Sequence, residues 1–313
     1  MTVHARPVEE RQNDPDMLRL QRAASRAHVS AQRWSRSRFY AAVALAGAGL
    51  ATRTIDALPG TASDVVVVVA LLWTVLHLLW VTPNLNTATR KAALVQERFD
   101  TDLLGLTWNG LLAGEPLRED QIQALERGFT QLPERLRAQR EEMVPDWYDV
   151  QTKGIRWPYC ALLCQRQNLA WDARLRRNWA ALLAGSISGW LVTCIAVASA
   201  TDMSMLDTLL RLIAPSVPAI QIAWAAALDH RRVADQRERA TRVVETELRT
   251  APNGTRATPA AVVRQVQDII WLTRTRAARV PQWFYKRSRG QYTHDFRSLS
   301  NSFRQSMHLP TEQ

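Results

Sequence analysis

Hydrophobic and polar positions fall into long blocks along this chain. Val65–Val81 reads VVVVVALLWTVLHLLWV and Trp179–Ala200 reads WAALLAGSISGWLVTCIAVASA, and neither holds a formal charge. A hydrocarbon core of about 30 Å takes about 20 helical residues, so both runs are near spanning length. Two further runs are weaker. Phe39–Ala51 is rich in Ala and Gly and reaches spanning length only by extending past Arg53 to Leu58, and Thr208–Leu228 carries Arg211, Pro215, Pro218 and Gln221. Each weaker run is joined to a stronger one by a few residues, the pattern of a transmembrane hairpin. The pattern predicts an all-α membrane protein with four transmembrane helices in two hairpins. One hairpin covers residues 39–83, with spans at about 39–58 and 64–82. The other covers 178–228, with spans at about 179–200 and 208–228. Two spans, or a soluble helical protein, are the lesser readings.

The polar segments between the runs also read as helical. Thr87–Leu106 continues from the second span with good helix formers. Leu117, Ile122, Leu125, Phe129, Leu132 and Leu136 trace an apolar face through a charged stretch, and Val262, Val266, Ile269 and Ile270 do the same later. Prolines, among them Pro116, Pro133, Pro145 and Pro158, punctuate these segments. No alternating strand pattern is visible, and the polar tail Ser288–Gln313 is expected to be loose. Val144-Pro145-Asp146-Trp147-Tyr148 and Val280-Pro281-Gln282-Trp283-Phe284 share a V-P-x-W-aromatic string. Each follows a hairpin, as a parallel internal repeat would place it.

Charge orients the chain. The 313 residues carry 40 basic and 29 acidic side chains, a formal net charge of +11. Segments 1–38, 84–177 and 229–313 hold every basic residue except Arg53 and Arg211. Basic residues crowd the span ends: Arg33, Arg36 and Arg38; Arg90 and Lys91; Arg174, Arg176 and Arg177; Arg231 and Arg232. The positive-inside rule then places these three segments, and both termini, on the cytoplasmic side of a membrane. No cleavable signal peptide is expected, because a long polar stretch precedes the first apolar run. The net charge is accounted for by retention on the cytoplasmic side and contact with the lipid bilayer, so no direct DNA binding is expected.

Catalytic chemistry is sparse. Cys160, Cys164 and Cys194 form no CxxC pair, and none of the six histidines has metal-ligand spacing. No metal, no cofactor and no enzymatic activity are expected. Within the spans, His77 and Gln221 are polar groups that face either a neighbouring helix or a water path. Gly185 and Gly189, four residues apart, read as a helix-packing surface. Four helices hardly enclose a pore, so a conducting path predicts a homo-oligomer.

Several strings are distinctive. They are Arg11-Gln12-Asn13; Phe99-Asp100-Thr101-Asp102-Leu103-Leu104-Gly105-Leu106 with Trp108-Asn109; and Cys164-Gln165-Arg166-Gln167-Asn168-Leu169 with Trp171-Asp172. With Val280-Pro281 and Trp283-Phe284-Tyr285 and two pairs of spans, the chain resembles the SMODS-associating four-transmembrane effector family of bacteria, from about Arg11 to Phe296. The resemblance implies an effector of cyclic-oligonucleotide anti-phage systems. A cyclic nucleotide would trigger pore formation or membrane disruption and the death of the infected cell. Such an anionic ligand needs guanidinium forks for phosphate and flat groups for bases. Arg166, Gln167, Asn168, Trp171, Arg174 and Arg177 supply these types just before the third span. Lipid anchoring is the competing reading of these residues. A small channel or transporter, and a membrane-anchored scaffold binding a partner through its cytoplasmic helices, are the alternatives for the whole chain.

Overall fold

The structure is a computed structural model that describes residues 6–54, 61–250 and 260–276, together with 280, 281, 283, 284, 287 and 305. Among these residues it is helical, with no strand. In chain order the helices are α1 (Val8–Arg11), α2 (Pro15–Thr54), α3 (Thr61–Leu76), α4 (Thr82–Leu104), α5 (Gly110–Ala113), α6 (Glu119–Thr130), α7 (Glu134–Glu141), α8 (Tyr159–Ala200), α9 (Met205–Asp207), α10 (Ala214–Thr250) and α11 (Ala260–Arg276). Two stretches wind as π-helix, His77–Val81 between α3 and α4 and Thr208–Ile213 between α9 and α10. Three helical stretches are long and apolar enough to cross a membrane: Thr61–Leu104, Tyr159–Ala200 and Met205–Thr250.

The expected first span is the second half of α2, helical as far as Thr54, and its remainder lies outside the described residues. α2 is not among the three apolar candidates. Its Ala and Gly carry little apolar surface, and arginines fill its first half. The expected loose tail, from Ser288 onward, falls almost wholly outside the described residues. The expected internal repeat also cannot be followed there, since only Val280, Pro281, Trp283 and Phe284 of its second string are described.

The chain divides into two compact units. The first comprises residues 1–29, 89–176 and 232–313. Its core takes Leu20, Ala23 and Ala24 from α2, Val95, Phe99 and Leu103 from α4, and Ile122 from α6. Leu162 and Leu169 come from α8, Val244 and Leu248 from α10, and Val263, Val266 and Ile270 from α11. Spacings of three and four residues put each set on one helix face. α4 ends at Gly105, whose φ of 68° is reached cheaply only by glycine, and Leu106 N–H then donates to Thr101 O at 2.9 Å. That is a Schellman-type stop.

The amino terminus is tied down by side chains. Gln12 accepts from Tyr148 N–H at 2.7 Å and donates to Tyr148 O at 3.1 Å. Asn13 pairs in the same two-way manner with Asp146, which sits at a φ of 50°. The Arg11-Gln12-Asn13 string therefore clamps the first V-P-x-W segment. Glu9 accepts from Thr152 and Lys153 N–H at 3.0 and 3.1 Å.

The second unit comprises residues 30–88 and 177–231. Its surface is strongly apolar: Val65, Leu71, Leu72, Leu79, Trp80, Val192, Ile195 and Trp224 are all exposed. An exposed apolar area of this kind marks a surface made for something other than water. Inside the unit, Ala42 and Ala46 of α2 are buried. Gly49 of α2 meets Pro215 of α10, and a Cβ added at Gly49 would stand 2.6 Å from Pro215 Cβ.

Candidate functional site

The polar groups of the first unit that are most withdrawn from water form a connected network of ion pairs and hydrogen bonds. Asp100, fully buried on α4, accepts from Tyr148 Oη at 2.8 Å and from Gln267 Nε2 at 3.0 Å. Its Oδ2 also lies 2.6 Å from Arg274 Nη1 of α11. One turn earlier, Glu97 accepts from Gln267 at 2.8 Å and from Arg264 at 2.7 Å. Arg264 spans three partners, donating also to Asp268 at 2.9 Å and to Thr107 O at 2.9 Å. Asn109 donates to the other oxygen of Asp268 at 3.1 Å. Gln165 of α8 joins by donating to Val263 O at 2.9 Å and to Gln267 Oε1 at 3.2 Å.

A second cluster lies on α8, α10 and α11. Asp172 stands 2.5 Å from Arg176 Nε and 3.0 Å from Arg237 Nε. Arg237 is 2% exposed and donates to Thr273 Oγ1 at 3.0 Å and to Asn168 Oδ1 at 3.0 Å. Four carboxylates (Glu97, Asp100, Asp172, Asp268) thus face four guanidiniums (Arg176, Arg237, Arg264, Arg274). Buried charge persists in a low-dielectric interior only when it is matched in this way.

The matching shows in the acidities. Burial pushes Glu97 up, with Asp100 adding to the rise and Arg264 and Gln267 opposing it. Burial and the neighbouring Asp100 push the Tyr148 phenol well above its usual range, which keeps it a neutral donor. Burial pulls Arg237 down to about 10, so it stays charged at neutral pH. Burial alone would lower Arg274, but Asp100, Tyr148 and Glu97 more than offset it and raise it. The paired charges form a structural lock that ties α4, α8, α10 and α11 to one another.

The six residues expected to receive a ligand are spread around this lock. Arg166 donates through Nε and Nη2 to one oxygen of Glu245 on α10, at 3.0 and 2.6 Å. Gln167 accepts from Asp149 N–H at 3.0 Å. Asn168 holds Arg237 through its backbone and side-chain oxygens. Trp171 is half-buried, and Arg174 and Arg177 are exposed on α8. Arg166, Gln167 and Asn168 thus take part in the polar contacts named, and Arg174 and Arg177 are exposed residues of α8.

The four intramembrane residues also separate. His77 is buried at the start of the first π-helix, its Nε2 3.3 Å from Thr82 Oγ1. Gln221 is exposed. Gly185 and Gly189 are also exposed, and a Cβ at either would meet open space. Among the described residues, a tight approach of two helices at a glycine occurs at Gly49. Gly49 borders Pro215, whose rigid ring can only be approached closely by a residue lacking Cβ. Among the described residues no group of three or more His, Cys, Asp or Glu side chains could hold a metal ion.

Sequence reasoning singled out Arg166 and Asn168 but missed Glu97, Tyr148, Arg237, Arg264, Gln267 and Arg274. One signal was present: a polar residue standing inside an apolar stripe. Gln267 interrupts Val263, Val266 and Ile270, and Arg237 interrupts Val233, Ala234, Ala240 and Val244. A helix that keeps a polar residue on its buried face has a partner for it elsewhere in the fold.

Among the described residues, fold and network define a helical protein of the membrane-spanning class, with three long apolar helices and a polar unit held by buried, paired charge. Comparison with known families makes this specific. The profile of the SMODS-associating 4TM effector domain matches residues 6–302, and the chain belongs to that family. The chain is also similar to a probable CBASS effector molecule of Bacillus cereus (strain VD146), with 24% identity over 196 residues. That match covers 62% of this chain and 63% of the relative, so it spans less than two thirds of the relative's length. No solved structure matches the chain. The strings that carry the resemblance supply Asp100, Asn109, Gln165, Asn168 and Asp172, all members of the two clusters.

Proposed function

We propose that this protein is a membrane effector of bacterial anti-phage immunity. A cyclic oligonucleotide triggers it from the cytoplasmic side, and it acts as a homo-oligomer that permeabilises the inner membrane and kills the infected cell. Family membership over residues 6–302 carries the reading. The name of the Bacillus cereus relative and the three long apolar helices support it. In this reading four spans, with the second half of α2 as the first of them, keep both termini on one side, and the basic flanks assign that side to the cytoplasm. Opening a path through the membrane then requires several copies, because so few helices enclose little space. Gly185 and Gly189, open within one chain, offer a surface for a second copy.

The signal-receiving segment in this reading is Arg166–Arg177. Arg174 and Arg177 are exposed, and along α8 Trp171 lies between them and the half-buried Arg166 and Asn168. Ligand phosphates drawn to this segment would compete with Glu245 for Arg166 and disturb Asn168, which holds Arg237. The test is expression with and without a cyclic-oligonucleotide synthase while following membrane potential. Depolarisation only with the synthase is expected, and it should be lost in Arg174→Lys, since Lys keeps the charge but not the fork. Depolarisation without any synthase, or an undisturbed potential with it, would refute the trigger or the permeabilising action respectively.

A further inference from the structure

The segment after α4 turns back on itself toward the membrane-spanning end of that helix. Thr107 O shares Arg264 with Glu97, Asn109 meets Asp268, and Ala113 packs with Ala93 of α4 and Trp271 of α11. Ala113 O finally accepts from Arg90 Nη2 at 3.3 Å. The loop is stiffly built. Trp108 Nε1 closes it by donating to Gly114 O at 2.8 Å, and Asn109 Oδ1 caps α5 by accepting from Leu112 N–H at 3.4 Å. Gly114, at a φ of 75°, lets the chain pass beside Arg90. Yet this rigid frame holds Leu111 99% exposed and leaves Leu112 exposed beside it. A flexible loop could hide its leucines, whereas this one is braced to present them.

Position along α4 says what lies opposite. The apolar run Val65–Val81 ends nine residues before Arg90, and basic residues that follow a span on its cytoplasmic side lie toward the lipid headgroups. Arg90 and Lys91, both exposed, are the first cationic residues after that span. We propose that the Leu111–Leu112 tip is a membrane-surface insert, seated among the headgroups of the cytoplasmic leaflet, with Arg90 and Lys91 beside it binding anionic phospholipid. Apolar residues backed by basic ones at this depth are the composition of interfacial anchors. The inference rests on the reading that Thr61–Leu104 crosses the membrane.

The test uses the full chain with Leu111→Cys carrying an environment-sensitive fluorophore, in vesicles of phosphatidylethanolamine and phosphatidylglycerol. The unsubstituted chain sets the labelling background from its own cysteines. A blue-shifted emission, quenched by lipids spin-labelled near the headgroup, is expected. The shift should be reduced when neutral lipid replaces phosphatidylglycerol or in Arg90→Gln/Lys91→Gln. Free quenching by aqueous iodide would overturn the proposal. Protection from iodide without quenching by labelled lipid would also overturn it, since a second copy or another protein would then cover the tip. Leu79→Cys, on the exposed apolar face of the span, is the control. If its label also fails to meet lipid, the spanning reading has failed rather than the insert.

Discussion

Asp100→Asn is the sharpest perturbation of the buried lock. The Asp100 carboxylate is 1% exposed and faces Arg274, 8% exposed, at 2.6 Å. The substitution keeps volume and leaves one acceptor for Tyr148, but it removes the anion and turns an amide N–H₂ toward Gln267 or Arg274. Removing one partner of a buried pair costs about 3–5 kcal/mol, because the other charge stays behind without compensation. A folded body of this size loses about 2–4 °C of melting temperature per kcal/mol, so a fall of about 10 °C is expected. Melting is followed by tryptophan fluorescence in lipid nanodiscs. Trp157 and Trp271 lie in the unit being tested and report its packing. The second arm is Asp100→Asn combined with Arg274→Met, which removes both charges and fills the space with a flexible apolar chain. That double variant should recover most of the loss. If Asp100→Asn melts within about 2 °C of the unsubstituted protein, the pair contributes little and the lock is not a lock. If the double variant is worse than the single one, uncompensated charge is not the cause.

Four further outcomes are expected. Burial raises Glu97 in the folded state above its ordinary 4.5, so the unfolded chain releases this proton first as pH rises. Stability from the protonated form is therefore full below the ordinary value and lost as pH climbs through the raised one. The unsubstituted protein should lose melting temperature relative to Glu97→Gln over that interval, and a constant difference from pH 4 to 7 would refute the assignment. Gly49→Ala should destabilise the second unit by about 1–3 kcal/mol, because its methyl enters Pro215. Gly185→Ala with Gly189→Ala should leave the monomer's melting point unchanged, both checked by thermal unfolding in detergent. Reporter fusions at Met203 and Gly114 should read periplasmic and cytoplasmic respectively, and the same reading at both would rule out a crossing by the carboxyl-terminal half of α8 between them.

The sequence by itself determined which stretches are helical and which of them can live in lipid. Val65–Val81 and Trp179–Ala200 hold no charge over nearly a membrane's thickness, and hydrocarbon length is a one-dimensional property that a string of letters records. Side by charge is of the same kind, because arginines flank the apolar runs in the chain itself. The strings around Asp100 and Asn168 were also visible as words. Their meaning was not, because it depends on which helices lie against one another. Tertiary structure alone decided that Asp100 faces Tyr148 and Arg274, residues far apart along the chain, and that Arg166 is engaged by Glu245. It also decided that Gly49 of α2 stands against Pro215 of α10. Periodicity tells which face of a helix is buried. It does not name the partner on the other side, and a buried charge draws its stability, and any role it has, from that partner.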